Sequence, residues 1–79
     1  MDYNEFTKLV ERGMEYNFVY RNEEYWISSI YNEVYCLTRC SDSYSQEFKT
    51  SGELFAKAQI EGKSIFELWP YLKEELPTL

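Results

Sequence analysis

No histidine occurs among the 79 residues, glycine appears three times, and proline and cysteine twice each. No apolar run approaches the ~20 residues that a membrane span needs. Each shortage excludes something. Without histidine the commonest general base is missing, and neither cysteine has an evident activating partner, so nucleophilic and acid–base catalysis lack their usual parts. With no third or fourth cysteine, a structural zinc site cannot be completed within the chain. Placed on one strand, Cys36 and Cys40 would hold their Cα atoms about 13 Å apart, beyond disulfide reach, so both are read as free thiols behaving as small hydrophobes. The opening MDYNEFTKLV has neither the basic start nor the apolar core of a signal peptide, and the expectation is a cytoplasmic protein that meets no membrane.

Positive charge is also scarce, with eight basic residues against fourteen acidic ones and a net charge of −6. Affinity for nucleic acid comes largely from neutralising phosphates, so this balance argues against DNA or RNA as a direct ligand. It suits a soluble protein attracted to a basic protein surface. The carboxylate pairs Glu23-Glu24 and Glu74-Glu75 fall at a turn and near the end of the sequence, where charge is ordinarily solvated, and nothing marks the apolar pocket that would raise a carboxylate pKa. Asp42 and Glu47 match no calcium-loop spacing. The expectation is a protein that is not an enzyme and carries no cofactor.

What the chain does have is apolar and aromatic surface. A hydrophobic share of 44%, with 19% aromatic residues, is far too rich for disorder, so residues 1–79 should fold as one domain with one core. The pattern predicts an α+β fold. Asp2 caps a first helix, Glu5 completes a capping-box pattern, Phe6, Leu9 and Val10 form its apolar stripe, and Gly13 suits its exit. From residue 14 to 40 the period changes to two, broken at Asn22-Glu23 and Asn32-Glu33, which reads as a three-stranded antiparallel meander. SDSYSQ reads as a loop. FKTSGELFAKAQI reads as a second helix capped by Thr50 or Ser51 and ended by Gly62. Ser64 and Glu67 form a capping box for a last helix along Ile65, Leu68, Trp69, Leu72 and Leu76, which Pro70 should kink or split and Pro77 should end.

The triplet Gly62-Lys63-Ser64 resembles the end of a phosphate-binding loop. That loop needs a glycine where this chain has Lys57, and it belongs between a strand and a helix, whereas helix is expected before it. Gly62 is better read as a helix exit, Lys63 as a solvated cation near a helix C-terminus, and Ser64 as a cap.

Opposed residues of an antiparallel pair share a face, so the two hairpins can be threaded. A turn at Asn22-Glu23 opposes Val19 to Trp26 and Phe18 to Ile27. A turn at Asn32-Glu33 opposes Ile30 to Tyr35, Ser28 to Leu37 and Trp26 to Arg39. One face then collects Met14, Tyr16, Phe18, Tyr20, Tyr25, Ile27, Tyr31, Val34, Cys36 and Cys40 as the core side under the helices. The other mixes Glu15, Asn17, Arg21, Glu24 and Ser28 with Val19, Trp26, Ile30, Tyr35, Leu37 and Arg39. A slip of one residue would exchange the faces.

Helices on one side of the sheet leave Trp26, Ile30, Tyr35 and Leu37 as an exposed apolar patch with Val19 beside them. Arg39 is positioned to lie over Trp26. Three readings are open. The last helix covers the patch, the patch binds a protein partner or a second copy of the chain, or its aromatics stack on bases, which the scarcity of basic residues disfavours. An acidic rim of Glu15, Glu23, Glu24 and Glu33 surrounds it.

Phe6, Leu9, Gly13, Glu15, Phe18 and Tyr20, followed by Phe48, Ser51, Glu53, Leu54, Ala58, Ile60, Gly62-Lys63-Ser64, Glu67 and Trp69, resemble a group of short uncharacterised proteins of Firmicutes and their prophages or plasmids. The resemblance covers most of the chain but consists of caps, helix exits and stripe positions, so it implies a mobile-element setting more than an activity. In that setting small acidic proteins often inhibit host restriction, CRISPR or polymerase complexes stoichiometrically. The leading expectation is a protein-interaction module working through the open sheet face. Its rival is an inhibitor that occupies a basic nucleic-acid channel with its acidic surface, although this chain is more aromatic and less acidic than a pure charge mimic.

Overall fold

The computed structural model describes residues 1–76, so the ending role expected of Pro77 lies outside the described residues. The fold is α+β, in the order α1 (Tyr3–Glu11), β1 (Tyr16–Tyr20), β2 (Glu23–Ile30), β3 (Val34–Arg39), β4 (Tyr44–Phe48), α2 (Ser51–Lys57), β5 (Gln59–Ile60), β6 (Lys63–Ser64) and α3 (Ile65–Glu75).

Local chemistry accounts for the helix ends. The Asp2 carboxylate accepts the Glu5 N–H at 2.8 Å, and Phe6 and Val10 face the core. At the exit, Gly13 takes φ +101°, its N–H donates to the Val10 carbonyl, and the Met14 N–H donates to the Leu9 carbonyl. This is the glycine-dependent closure that satisfies a helix's last carbonyls. A Cβ at Gly13 would lie 2.8 Å from Asn32 Oδ1, the tip of a side chain that would have to turn aside, so it is the positive φ that calls for glycine here. Thr50 caps α2, and Ser64 with Glu67 forms the expected reciprocal capping box on α3.

Pro70 does not split α3, which runs from Ile65 to Glu75. The proline removes the donor that would bond the Phe66 carbonyl. Phe66 is exposed, so water can serve that carbonyl.

Three other expectations are corrected. The segment read as a loop after Cys40 contributes β4, making the sheet four-stranded in the order β1-β2-β3-β4. Its strand signal, Tyr44, Gln46 and Phe48 alternating with polar residues, was masked by the serines around it. Gln46 then does a backbone's work at the sheet edge, its side-chain amide donating to the Gln59 carbonyl at 2.8 Å and accepting the Gln59 N–H at 2.9 Å. The second helix stops at Lys57, because Glu61 and Gly62 both take positive φ and turn the chain into the small β5–β6 hairpin. Gly62 is therefore a hairpin turn residue and Lys63 an exposed strand residue.

The most consequential correction is one of register. In the first hairpin the turn is Arg21-Asn22, both at positive φ, one position earlier than expected. Phe18 pairs with Tyr25 and Asn17 with Trp26, a two-residue shift that leaves every side chain on its expected face. In the second, Tyr31 and Asn32 take positive φ and Glu33 is an extra residue, so Ile30 pairs with Val34, Ser28 with Cys36 and Ile27 with Leu37. That is a shift of one, and it turns β3 over.

The packed face thus carries Tyr16 and Phe18 of β1, Tyr25 and Ile27 of β2, and Tyr35 and Leu37 of β3. These form one core with Phe6 and Val10 of α1, Leu54 of α2, Ile60 of β5, and Ile65, Leu68 and Leu72 of α3. An 18 Å shortest dimension matches one sheet under one layer of helices, since packed layers lie about 10 Å apart. Tyr16 is 4% exposed, and its hydroxyl finds no protein partner among the described residues. An unpartnered buried hydroxyl is destabilising. Tyr16→Phe is expected to leave stability unchanged or raise it by about 1 kcal/mol, measured by urea unfolding.

Candidate functional site

With β3 turned over, the face away from the helices has a different membership from the one expected. Asn17 and Val19 stand on β1, Glu24, Trp26, Ser28 and Ile30 on β2, Val34, Cys36 and Thr38 on β3, and Ser45 and Glu47 on β4. The three helices pack with the opposite, core face. Among the described residues, α3 does not wrap round to cover the open face: Ile65, Leu68 and Leu72 all belong to the core cluster.

Three of the six expected contact residues stand on this face and are exposed: Val19 at 47%, Trp26 at 38% and Ile30 at 54%. Tyr35 and Leu37 do not. They are buried in the core, and the Tyr35 hydroxyl donates to the Glu11 carbonyl at 2.8 Å, holding the last turn of α1 against β3. Arg39 is opposed to Tyr25 rather than Trp26. Its guanidinium sits 5.4 Å from the Tyr44 ring centroid and forms a two-pronged bond with Asp42.

Arg39 and the backbone N–H of Tyr44, both bonding the Asp42 carboxylate, hold that group down to about 2. The ordinary aspartate value is about 3.9, so the folded value is depressed. Any stability the bond contributes is therefore present above the ordinary value and is lost as pH falls through about 2. Carbon-detected NMR should place the Asp42 midpoint near 2 in the native chain and higher in Arg39→Gln. An unchanged midpoint in the variant would exclude Arg39 as the cause.

The acidic rim is dispersed. Glu23 and Glu24 are adjacent on β2 and point to opposite faces; Glu23 accepts from the Ser41 hydroxyl, and Glu24 accepts from Asn17 Nδ2 at 3.0 Å on the open face. Glu33 lies in the connection at the far end of β2, about 23 Å along the strand, and Glu15 precedes β1. Only Glu24 belongs to the open-face strand positions.

Residues not expected there fill the centre of the face. Ser28 and Cys36 are directly opposed and only 8% and 6% exposed, although no helix lies over them. Burial pushes the Cys36 thiol up, Glu47 adds to the effect, and the Ser28 hydroxyl opposes it. Such a thiol stays protonated and is a poor nucleophile. Cys40, expected in the core, is exposed, as are Met14 and Tyr31, the last at 90%. Beside the central pair, the Thr38 and Ser45 hydroxyls share a 2.6 Å hydrogen bond. No group of three or more Cys, Asp or Glu side chains among the described residues is placed to hold a metal ion, and no helix there is long and apolar enough to cross a membrane.

Fold and site together define a small α+β protein with a four-stranded antiparallel sheet, helices on one side and a half-apolar face on the other. Compared with protein-family models, with curated proteins and with solved structures, the chain matches none of them.

Proposed function

We propose that this chain is a non-enzymatic protein-interaction module that seats a protein partner on its open sheet face. One observation carries the reading: Trp26 and Ile30 stand exposed on the sheet face opposite the helix-packed core, with Val19 exposed at its β1 edge near α3. Large aromatics on such a face have apolar area to bury and are frequent anchors of interfaces. A charge-led inhibitor of mobile-element origin is less well supported, because its acidic set is divided between two faces and two ends of the sheet.

The test is capture by tagged native chain and by folded Trp26→Glu, from the cells that encode the protein, at low and high salt. Contact led by the open face predicts a partner held by the native chain, lost in Trp26→Glu and retained at high salt. Equal capture by both chains would remove the face from the account. Release at high salt from both would favour acidic contacts instead.

A further inference from the structure

We infer that β1, the free edge of the sheet, pairs with β1 of a second copy of this chain, joining two four-stranded sheets antiparallel about a two-fold axis. The surface is distinct from the Trp26 patch, because it is made of backbone at the sheet edge rather than side chains on the open face.

The two edges of the sheet differ. At the β4 edge the Gln46 side chain bonds the backbone of Gln59, so the small hairpin occupies that side. At the β1 edge the two-residue turn makes Tyr20 and Glu23 the first hydrogen-bonded pair, so Tyr16, Phe18 and Tyr20 direct their backbone groups to β2. Those of Asn17 and Val19 point outward and find no partner among the described residues. Sheets ordinarily guard such an edge with a charge, a proline or a bulge. The strand YNFVY has none of these, and its pairing with β2 is continuous. Beside it a groove of about 610 Å³ opens between Val19 and Tyr20 and the Tyr71 side of α3, so the end of the strand is not covered.

Only an extended segment satisfies a row of unpaired backbone groups. A two-fold interface must in addition complement itself, and this edge does so in one register. With Phe18 on the axis all five strand residues pair: Asn17 opposes Val19 of the second copy, which brings outward-directed groups together, and Tyr16 opposes Tyr20. The same register sets Glu15, one residue before the strand, against Arg21, one residue after it, at both ends of the seam. Moving the pairing by one residue would set outward groups against inward ones, and moving it by two would separate both charge pairs. Arg21 is available for this role, since its contact with Glu61 spans 3.6 Å between exposed side chains. Met14, 45% exposed, comes opposite Asn22, where the groove opens. Opposed residues share a face, so the two open faces lie on the same side of one continuous sheet.

Sedimentation and amide hydrogen exchange of the full chain, from micromolar to millimolar concentration at physiological salt, test the pairing. The expected result is association that stops at a dimer, in which the Asn17 and Val19 amides exchange about tenfold more slowly or less while that of Phe18 changes little. Glu15→Arg and Arg21→Glu should each weaken association about tenfold, and an equal mixture of the two should restore it, because every end pair is then opposite in sign. Val19→Pro, which removes an outward N–H and spares the ladder to β2, should abolish it. Trp26→Glu should leave it unchanged. A chain monomeric throughout, or a dimer whose Asn17 and Val19 amides exchange as in the monomer, would overturn the inference, and loss of such a dimer in Trp26→Glu would place self-association on the open face instead. Growth beyond a dimer would overturn the two-fold register. Protection of the two amides only after a captured partner is added would overturn the second copy as occupant and give the edge to that partner's strand.

Discussion

Leu37→Ala should lower the free energy of unfolding by about 2–5 kcal/mol, whereas Ile30→Ala should change it by less than about 1 kcal/mol. Leu37 is 1% exposed and lies in the core beside Ile27, its partner across the strands. Truncation there removes buried apolar area and leaves a cavity that close-packed neighbours fill only in part. Ile30, 54% exposed on the other face, has much less to lose. Had β3 the opposite facing, Leu37 would be the exposed residue and its truncation nearly silent. Urea unfolding of the two variants decides between the facings, and equal, small effects would exclude the observed one.

Phe6→Ala is expected to cost more still, about 3–5 kcal/mol. Phe6 is fully buried where α1, α2, α3 and β1 meet, with ring centroids of Trp69, Tyr16 and Phe55 at 5.0, 5.2 and 5.7 Å. Aromatic contacts at these distances add to the area term. A chain of this length has roughly 4–12 kcal/mol of total stability, so the loss is a large share of it and should lower the melting midpoint by about 12 °C or more. A circular-dichroism melt checks this. A midpoint within a few degrees of the native one would show that the three helices do not converge on Phe6.

Features specified by neighbouring residues were legible in the sequence. Asp2, Gly13, Thr50 and Ser64 with Glu67 mark helix ends because a cap is a contact over three or four residues. The stripe of Ile65, Leu68 and Leu72 likewise names its own buried side. The faces of β1 and β2 could be read despite a misplaced turn, because a two-residue shift returns every side chain to its side.

The face of β3 could not, because it depends on a single added residue. Tyr31 and Asn32 make the reversal and Glu33 follows before pairing begins, yet a tyrosine at positive φ has no sequence signature comparable to Asn-Gly. Tyr35 and Leu37 consequently passed from the expected surface to the core, and Val34 and Cys36 moved the other way. Strand β4 was obscured for another reason: an edge strand with few β-branched residues resembles a polar loop. That little of so short a chain is left to cover the second face was legible, but whether the last helix wraps over it was not, and neither was the membership of that face.

The composition of the open face, and with it the interaction surface proposed there, rests on the pairing of β2 with β3. Cross-strand backbone NOEs in solution measure that pairing most directly. The account predicts contacts of Ser28 with Cys36 and of Ile27 with Leu37. Contacts of Ser28 with Leu37 and of Trp26 with Arg39 would contradict it, returning Leu37 and Tyr35 to the open face and Cys36 to the core.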